Sequence, residues 1–236
     1  MSELVFVRHG QASFGKESYD KLSGLGVEQV RILAKHWHDV KEQFDHIYSG
    51  TLLRQRETAK ELLSLVKGSP SEPYLQNSFN EYNGDSLLKI FLRDHIDDDQ
   101  DIPPVEWPIK DARIFQKLFE MATAKWIRNE LTPSGEDADY ETWQSFKERV
   151  YTAINEIMLK HSSGSRILIS TSGGVIAMAL QRVLNFSDER VISTNWMVHN
   201  SSVTRVRYGN DKISLMQFNN IPHLASIDMK HLVTYR

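Results

Sequence analysis

The chain alternates between short apolar runs and longer segments whose apolar residues recur three and four positions apart. The short runs are Glu3–Arg8, His46–Ser49 and Arg166–Ser170, and each predicts a buried strand. The segments that follow them predict helices. Strands that alternate with helices are typical of an α/β fold, so we expect three layers, αβα, with a mostly parallel sheet between helices.

The helical segments carry recognisable start signals and apolar faces. Ser23 predicts an N-cap for a helix with Val30, Leu33 and Trp37 on its apolar face. Further helices are predicted over Leu52–Val66, Ile109–Leu131, the segment containing Trp143, Phe146, Val150, Ile154 and Ile157, and Gly174–Leu184. Val203–Tyr208 and Ile213–Phe218 predict a closing hairpin around Gly209-Asn210.

Residues 84–133 do not fit the alternation, and we interpret them as a helical insertion over the strand ends. The whole chain, 1–236, is then a single domain rather than two. The aromatic residues of the insertion either line a pocket or hold it together, and helical spacing favours a core; they are Phe91, Trp107, Phe115, Phe119 and Trp126. The acidic run from Asp94 to Asp101 predicts a solvated loop rather than a cation site.

Composition narrows the class of protein. Apolar content of 40% and charged content of 25% are ordinary for a soluble globular protein. The net charge of −3 favours neither a nucleic-acid partner nor an anionic membrane surface. The chain has no cysteine, which excludes disulfides, thiolate metal sites and a cysteine nucleophile. No apolar run reaches the roughly 18 residues of a membrane span, and no basic leader precedes the first strand, so we expect a cytoplasmic protein.

The candidate chemistry lies where the predicted strands end, because ligands of open α/β sheets bind beyond the carboxyl ends of the strands. Arg8 ends the first strand, His9 and Gly10 follow it, and Arg54 lies one turn into the helix after the second strand. Guanidinium groups match phosphate oxygens with two parallel hydrogen bonds. A histidine flanked by such cations has its pKa lowered and remains a free nucleophile near neutral pH. These residues therefore predict a phosphate site.

Three competing motifs are missing. No strand is followed by G-x-G-x-x-G, and no G-x-x-x-x-G-K-[ST] occurs, so neither nucleotide-binding loop is supported. The turn after the third strand is not a G-x-S-x-G nucleophile elbow, because Ser170 stands at the position of the first glycine.

Three motifs together resemble the histidine phosphatase superfamily, the phosphoglycerate-mutase-like enzymes. They are Arg8-His9-Gly10 after the first strand, Ser49…Arg54-x-x-x-Thr58-Ala59, and Ser170-x-x-Gly173-Gly174 after a late strand. The resemblance implies a metal-independent phosphatase without a cofactor, which hydrolyses phosphate monoesters through a phosphohistidine.

The resemblance also implies a role for each matching residue. His9 would be the nucleophile, Arg8 and Arg54 would bind the transferring phosphoryl group, and Glu81 would be the general acid and base. Gln11 and Ser13 stand where the loop of the family contacts phosphate, although Ala12 replaces the usual hydroxyl residue.

The main departure from the family is Ser172, which aligns with its second catalytic histidine. A serine hydroxyl still donates a hydrogen bond to phosphate but brings no positive charge. Loss of one donor of this kind costs roughly 10²–10³ in rate, so we expect a weakened phosphatase rather than an inactive one. His199 is an alternative source of the missing imidazole.

Three other functions stay open at this point. A mutase needs a phosphorylated primer and retention of the intermediate. A non-catalytic phosphate-recognition module would bind phosphate through Arg8 and Arg54 without measurable turnover. A serine hydrolase would use Ser172 as its nucleophile. The expected substrate is a small phosphorylated molecule or a phosphoprotein, and the oligomeric state is open.

Overall fold

A computed structural model describes residues 1–13, 20–95, 109, 111–161, 164–210 and 212–235. The strands are β1 (Ser2–Arg8), β2 (His46–Ser49), β3 (Tyr74–Leu75), β4 (Arg166–Thr171), β5 (Val203–Gly209) and β6 (Lys212–Asn220). The helices are α1 (Gly24–Asp39), α2 (Leu53–Leu62), α3 (Gly84–His95), α4 (Ala112–Ile127), α5 (Trp143–Lys160), α6 (Gly173–Leu184) and α7 (Asp188–Met197). Short 3₁₀ turns cover Leu63–Leu65, Asn77–Phe79, Pro222–Leu224 and Ile227–Leu232.

The strands form one six-stranded sheet in the order β3-β2-β4-β1-β5-β6. The pairs β2–β3, β2–β4 and β1–β4 are parallel, whereas β5 is antiparallel to both β1 and β6. The α/β fold with a mostly parallel sheet between helices is thus confirmed. The predicted hairpin supplies the antiparallel edge of the sheet.

One face of the sheet packs against α1 and α2. Val5, Val7, Ile47, Leu168 and Val203 form this face and are buried together with Val30, Leu33, Trp37, Ala59 and Leu62 of the two helices. Because side chains alternate along a strand, Leu4 and Phe6 lie on the opposite face, where they are equally buried. Helix α6 contacts β1 and β6. β4 and β1 are thus the two central strands of the sheet, and both are buried.

The chain divides into two compact units, one of residues 1–81 and 149–236 and the other of residues 82–148. The predicted insertion lies within the second unit. Phe91, Phe119 and Trp126 are buried there, as expected for a core, and Trp126 meets Trp143 edge to face with ring centroids 4.9 Å apart. Trp107 and most of the acidic run, 97–101, lie outside the described residues.

Across the described ranges, no helix is long and apolar enough to cross a membrane.

Candidate active site

The backbone places His9 at the junction of two neighbouring strand ends. The His9 amide donates to the carbonyl of Thr171, the last residue of β4, at 2.8 Å. The His9 carbonyl accepts from Asn200 Nδ2 at 3.1 Å. The ends of β1 and β4, which the sequence places at the same sheet edge, therefore lie side by side.

Gly10 is required by a close approach of two chain segments. A Cβ on Gly10 would lie only 2.3 Å from the carbonyl oxygen of Gly26, at the start of α1. A Cβ on Gly26 would lie 2.1 Å from the carbonyl oxygen of Gln11. No other residue fits at either position without moving the backbone, so the two glycines fix the loop after His9 against α1.

The His9 ring is buried, with 6% of the residue exposed, and is held in one orientation. Its Nδ1 lies 2.7 Å from the Gly10 carbonyl. Because a carbonyl only accepts, Nδ1 carries the proton and Nε2 presents its lone pair. Arg54 Nε donates to Nε2 at 3.2 Å.

Burial is the main reason why the pKa of His9 lies well below its usual value, and the charges of Arg54 and Arg8 lower it further. The hydrogen bond to the Gly10 carbonyl opposes this shift. The imidazole is therefore neutral at neutral pH and has the protonation state that a nucleophile needs.

Arg54 is fixed by a carboxylate that also caps its helix. Asp20 Oδ1 accepts from Arg54 Nη1 at 2.5 Å, and Asp20 Oδ2 accepts from the amide of Leu53, the first residue of α2, at 2.7 Å. Only 13% of the Arg54 side chain is exposed. The helix start and the guanidinium are thus positioned together beside His9.

Arg8, the last residue of β1, is held by the segment that follows α7. Its Nη1 donates to the carbonyl of Val198, and its own carbonyl accepts from the amide of Ser201 at 3.1 Å. The charges of Arg8 and Arg54 both act on the His9 ring, so the three residues lie close together.

Glu81 binds the beginning of α6. Its Oε2 accepts from the amide of Gly174 at 2.9 Å. Ser172 is the N-cap residue of this helix, but its side chain makes no capping bond to it. The Glu81 carboxylate supplies that acceptor instead, at the helix end where negative charge is favoured.

Ser172 is fully buried, and its oxygen accepts from Gln55 Nε2 at 2.8 Å. Gln55 is a residue of this site that the sequence motifs did not single out. Its signal was available, because positions 55, 58, 59 and 62 share the buried face of α2 and a glutamine there is an internal polar group.

The other predicted ligands have partners within the protein. Gln11 Oε1 accepts from Ser23 Oγ at 3.0 Å, and Ser13 Oγ donates to the Leu22 carbonyl at 3.1 Å. His199 has its amide and Nδ1 at 2.7 and 3.0 Å from Asn219 Oδ1. These contacts fix the three side chains, and their part in phosphate binding stays a prediction.

No group of three His, Cys, Asp or Glu side chains able to hold a metal ion occurs in the part of the chain that the structure describes.

The fold and this cluster define an α/β protein with a buried histidine and two arginines at the carboxyl ends of its central strands. The chain belongs to the histidine phosphatase superfamily (branch 1), whose family model matches residues 4–89 and 106–221.

Similar proteins include both mutases and phosphatases. A 2,3-bisphosphoglycerate-dependent phosphoglycerate mutase of Rhizobium meliloti strain 1021 is 20% identical over 201 residues, which cover 81% of this chain and 84% of the relative. Among solved structures, a phosphoserine phosphatase mutant from Entamoeba histolytica in complex with phosphoserine is 16% identical with a TM-score of 0.62, covering 95% of this chain and 100% of that one. A phosphoglycerate mutase from Bacillus anthracis is 18% identical with a TM-score of 0.61, covering 94% of each chain. At such identities the structures are evidence for the fold alone.

Proposed function

We propose that this protein is a metal-independent phosphatase that hydrolyses phosphate monoesters through a phosphohistidine at His9. The observation that carries the proposal is the His9 ring, whose Nδ1 is bonded to the Gly10 carbonyl while Nε2 faces Arg54. A neutral imidazole with its lone pair beside a fixed guanidinium is suited to attack a bound phosphoryl group.

In the first step Nε2 of His9 attacks phosphorus, and the bond between phosphorus and the ester oxygen breaks. Glu81 enters this step protonated, gives its proton to the departing oxygen and becomes the carboxylate. Arg8 and Arg54 stabilise the charge on the equatorial oxygens. The products are a phosphohistidine and an alcohol.

In the second step the Glu81 carboxylate takes a proton from water as the water oxygen attacks phosphorus. The bond between phosphorus and nitrogen breaks, inorganic phosphate leaves, and the neutral His9 ring is restored. Gln11, Ser13 and Ser172 are proposed as further phosphate ligands. Ser172 is fully buried and carries no charge, so we expect a lower rate than in a site that is shaped to hold a second histidine.

The substrate we propose is a small phosphorylated molecule. The complex of the Entamoeba histolytica protein with phosphoserine supports this class, because that protein shares the fold over nearly the whole chain. A phosphoprotein is the alternative substrate.

A mutase is the second candidate function, favoured by the match to a phosphoglycerate mutase over 81% of this chain. A mutase returns the phosphoryl group from His9 to an acceptor hydroxyl instead of to water. Dependence of turnover on a bisphosphorylated primer would identify it.

Hydrolysis of an aryl phosphate with all metal chelated tests the proposal. Wild type should release phosphate, and His9→Ala should release none while its unfolding free energy is measured in parallel. Undiminished turnover in His9→Ala would overturn the assignment. Phosphate binding without turnover in wild type would indicate a recognition module, and labelling of Ser172 by an organophosphonate would indicate a serine hydrolase.

A further inference from the structure

Gln55 is a fully buried amide that connects two parts of the candidate site. It follows Arg54 in α2. Its Nε2 donates to the carbonyl of Phe79 at 3.0 Å and to Ser172 Oγ at 2.8 Å. One side chain thus joins α2 both to the turn after β4 and to the segment that leads into Glu81.

The orientation of this amide is determined by its neighbours. The carbonyl of Phe79 can only accept, so the NH₂ group of Gln55 must face it, and Ser172 must then be the acceptor of the second N–H. Gln55 Oε1 packs against Gly50, where an added Cβ would lie only 1.9 Å from it. Within the described residues this buried oxygen accepts no hydrogen bond. Gln55 is therefore held in place by the two hydrogen bonds that its Nε2 donates.

Both acceptors belong to the surroundings of Glu81. Phe79 precedes Glu81 by two residues, and its carbonyl also accepts from Thr171 Oγ1 at 2.7 Å. Glu81 itself accepts from Gly174, two residues after Ser172. The backbone before Glu81 and the helix end that binds its carboxylate are therefore linked through Gln55.

We propose that Gln55 is a positioning residue, which holds Glu81 where it can protonate the leaving oxygen. The inference rests on the proposed function, because it assigns Gln55 a part in the acid step of that reaction. Without the bond to Phe79 the Glu81 backbone would move relative to His9, and protonation of the leaving oxygen would be impaired.

Two substrates with different leaving groups can distinguish a role of Gln55 in the acid step from a purely structural role. An alkyl phosphate needs a proton on its departing oxygen, whereas nitrophenolate leaves readily without one. The ratio kcat/KM reports only the steps through departure of the alcohol, so slower hydrolysis of the phosphohistidine does not affect it. A defect in the acid step therefore lowers kcat/KM for the alkyl phosphate alone.

Gln55→Met removes both donors and keeps the length of the side chain. We expect kcat/KM for an alkyl phosphate to fall roughly tenfold or more, with nitrophenyl phosphate changed by less than about threefold. The loss is smaller than the roughly 10²–10⁴ that general acid catalysis contributes, because Glu81 is displaced and not removed. Glu81→Gln should show the same selective loss. Thr171→Val, which removes the other donor to Phe79, should show it more weakly and serves if Gln55→Met does not fold.

Gln181→Met is the matched control. Gln181 is also buried, and its Nε2 also donates twice, to the Phe186 carbonyl at 3.0 Å and to Asp188 Oδ1 at 2.6 Å. This variant should lower stability without selective loss on either substrate.

Equal loss on both substrates in a folded Gln55→Met variant, or no loss on either, would overturn the role of Gln55 and leave the proposed function intact. Absence of His9-dependent turnover in wild type would reject the proposed function, and the inference with it.

Discussion

At the scale of single residues, the site depends on hydrogen bonds that keep one nitrogen of His9 unprotonated. The Gly10 carbonyl takes the Nδ1 proton, and Arg54 Nε lies 3.2 Å from Nε2. Burial and two nearby cations keep the pKa of the ring low. In the proposed reaction these surroundings, and not an adjacent base, would supply the neutral imidazole that attacks phosphorus.

Arg54→Lys tests the guanidinium. Lysine keeps the positive charge but cannot place one nitrogen on Asp20 and another at His9. We expect the inhibition constant of vanadate to rise at least tenfold, about 1.4 kcal/mol of binding free energy. Arg31→Lys is the matched control, because Arg31 is 67% exposed and pairs with Glu61 on the surface. Unchanged vanadate inhibition in Arg54→Lys would remove Arg54 from the phosphate site.

The meeting of Arg8, His9 and Arg54 could be predicted from the sequence, because each lies at the end of a strand or shortly after one, and neighbouring parallel strands end at the same edge of the sheet. The partners of these residues could not. Asp20 and Gln55 act through side chains that reach across loops and helices, and no sequence spacing encodes such contacts. Ser172 illustrates the same point, since its position at the strand end was predictable and its bond to Gln55 was not.

At the scale of elements, side chains from two other segments bind the turn between β4 and α6. Glu81 caps α6 through Gly174, and Gln55 donates to Ser172. Ser172 and Gln55 both have no exposed surface. The volume that an imidazole at position 172 would need is therefore filled by the Gln55 amide.

Ser172→His should consequently give no gain in turnover by itself, because the larger ring is overpacked against Gln55. With Gln55→Ala in the same chain, the imidazole has room and adds an N–H donor to the phosphoryl group. We expect the double variant to exceed Gln55→Ala alone by roughly tenfold or more in kcat with an aryl phosphate. Equal kcat in these two variants would show that position 172 does not reach the phosphoryl group.

Most elements were predictable from apolar spacing and caps, including α1 with its Ser23 cap, β2 and the β5–β6 hairpin. β3 and α7 were not. β3 has only two residues and exists through its pairing with β2, which is a non-local interaction. The sequence of α7, DERVISTNWM, is polar and only weakly amphipathic, so its helical structure depends on packing against α6.

At the scale of the whole molecule, buried histidines make stability depend on pH. His223 is buried, and its Nε2 lies 2.8 Å from Ser201 Oγ, next to the strand end that carries Arg8 and His9. Burial lowers the pKa of His223 to about 4, with a smaller contribution from His36. The pKa values of His9 and His161 are lowered as well, and burial is the largest cause for each.

The sign of the effect follows from proton binding. Between about pH 6.5 and pH 4 the unfolded chain binds a proton at His223 that the folded chain does not, so the unfolding free energy falls as the pH falls. The contribution of His223 is at most about 3 kcal/mol over this window. In His223→Gln the unfolding free energy, measured by urea titration at both pH values, should depend less on pH. His231→Gln, at an exposed position, should leave the dependence unchanged, and an equal slope in wild type and His223→Gln would contradict the account.

The central claim is that His9 carries the phosphoryl group, and trapping that intermediate tests it most directly. Glu81→Gln incubated with nitrophenyl phosphate under chelation should accumulate the phosphoenzyme, because nitrophenolate leaves without an acid while no base activates water. Acid quench should release the phosphate, alkaline quench should preserve it, and peptide mapping should place it on His9. Phosphate found on Ser172, or nitrophenyl phosphate hydrolysed with no phosphate on His9, would contradict the account.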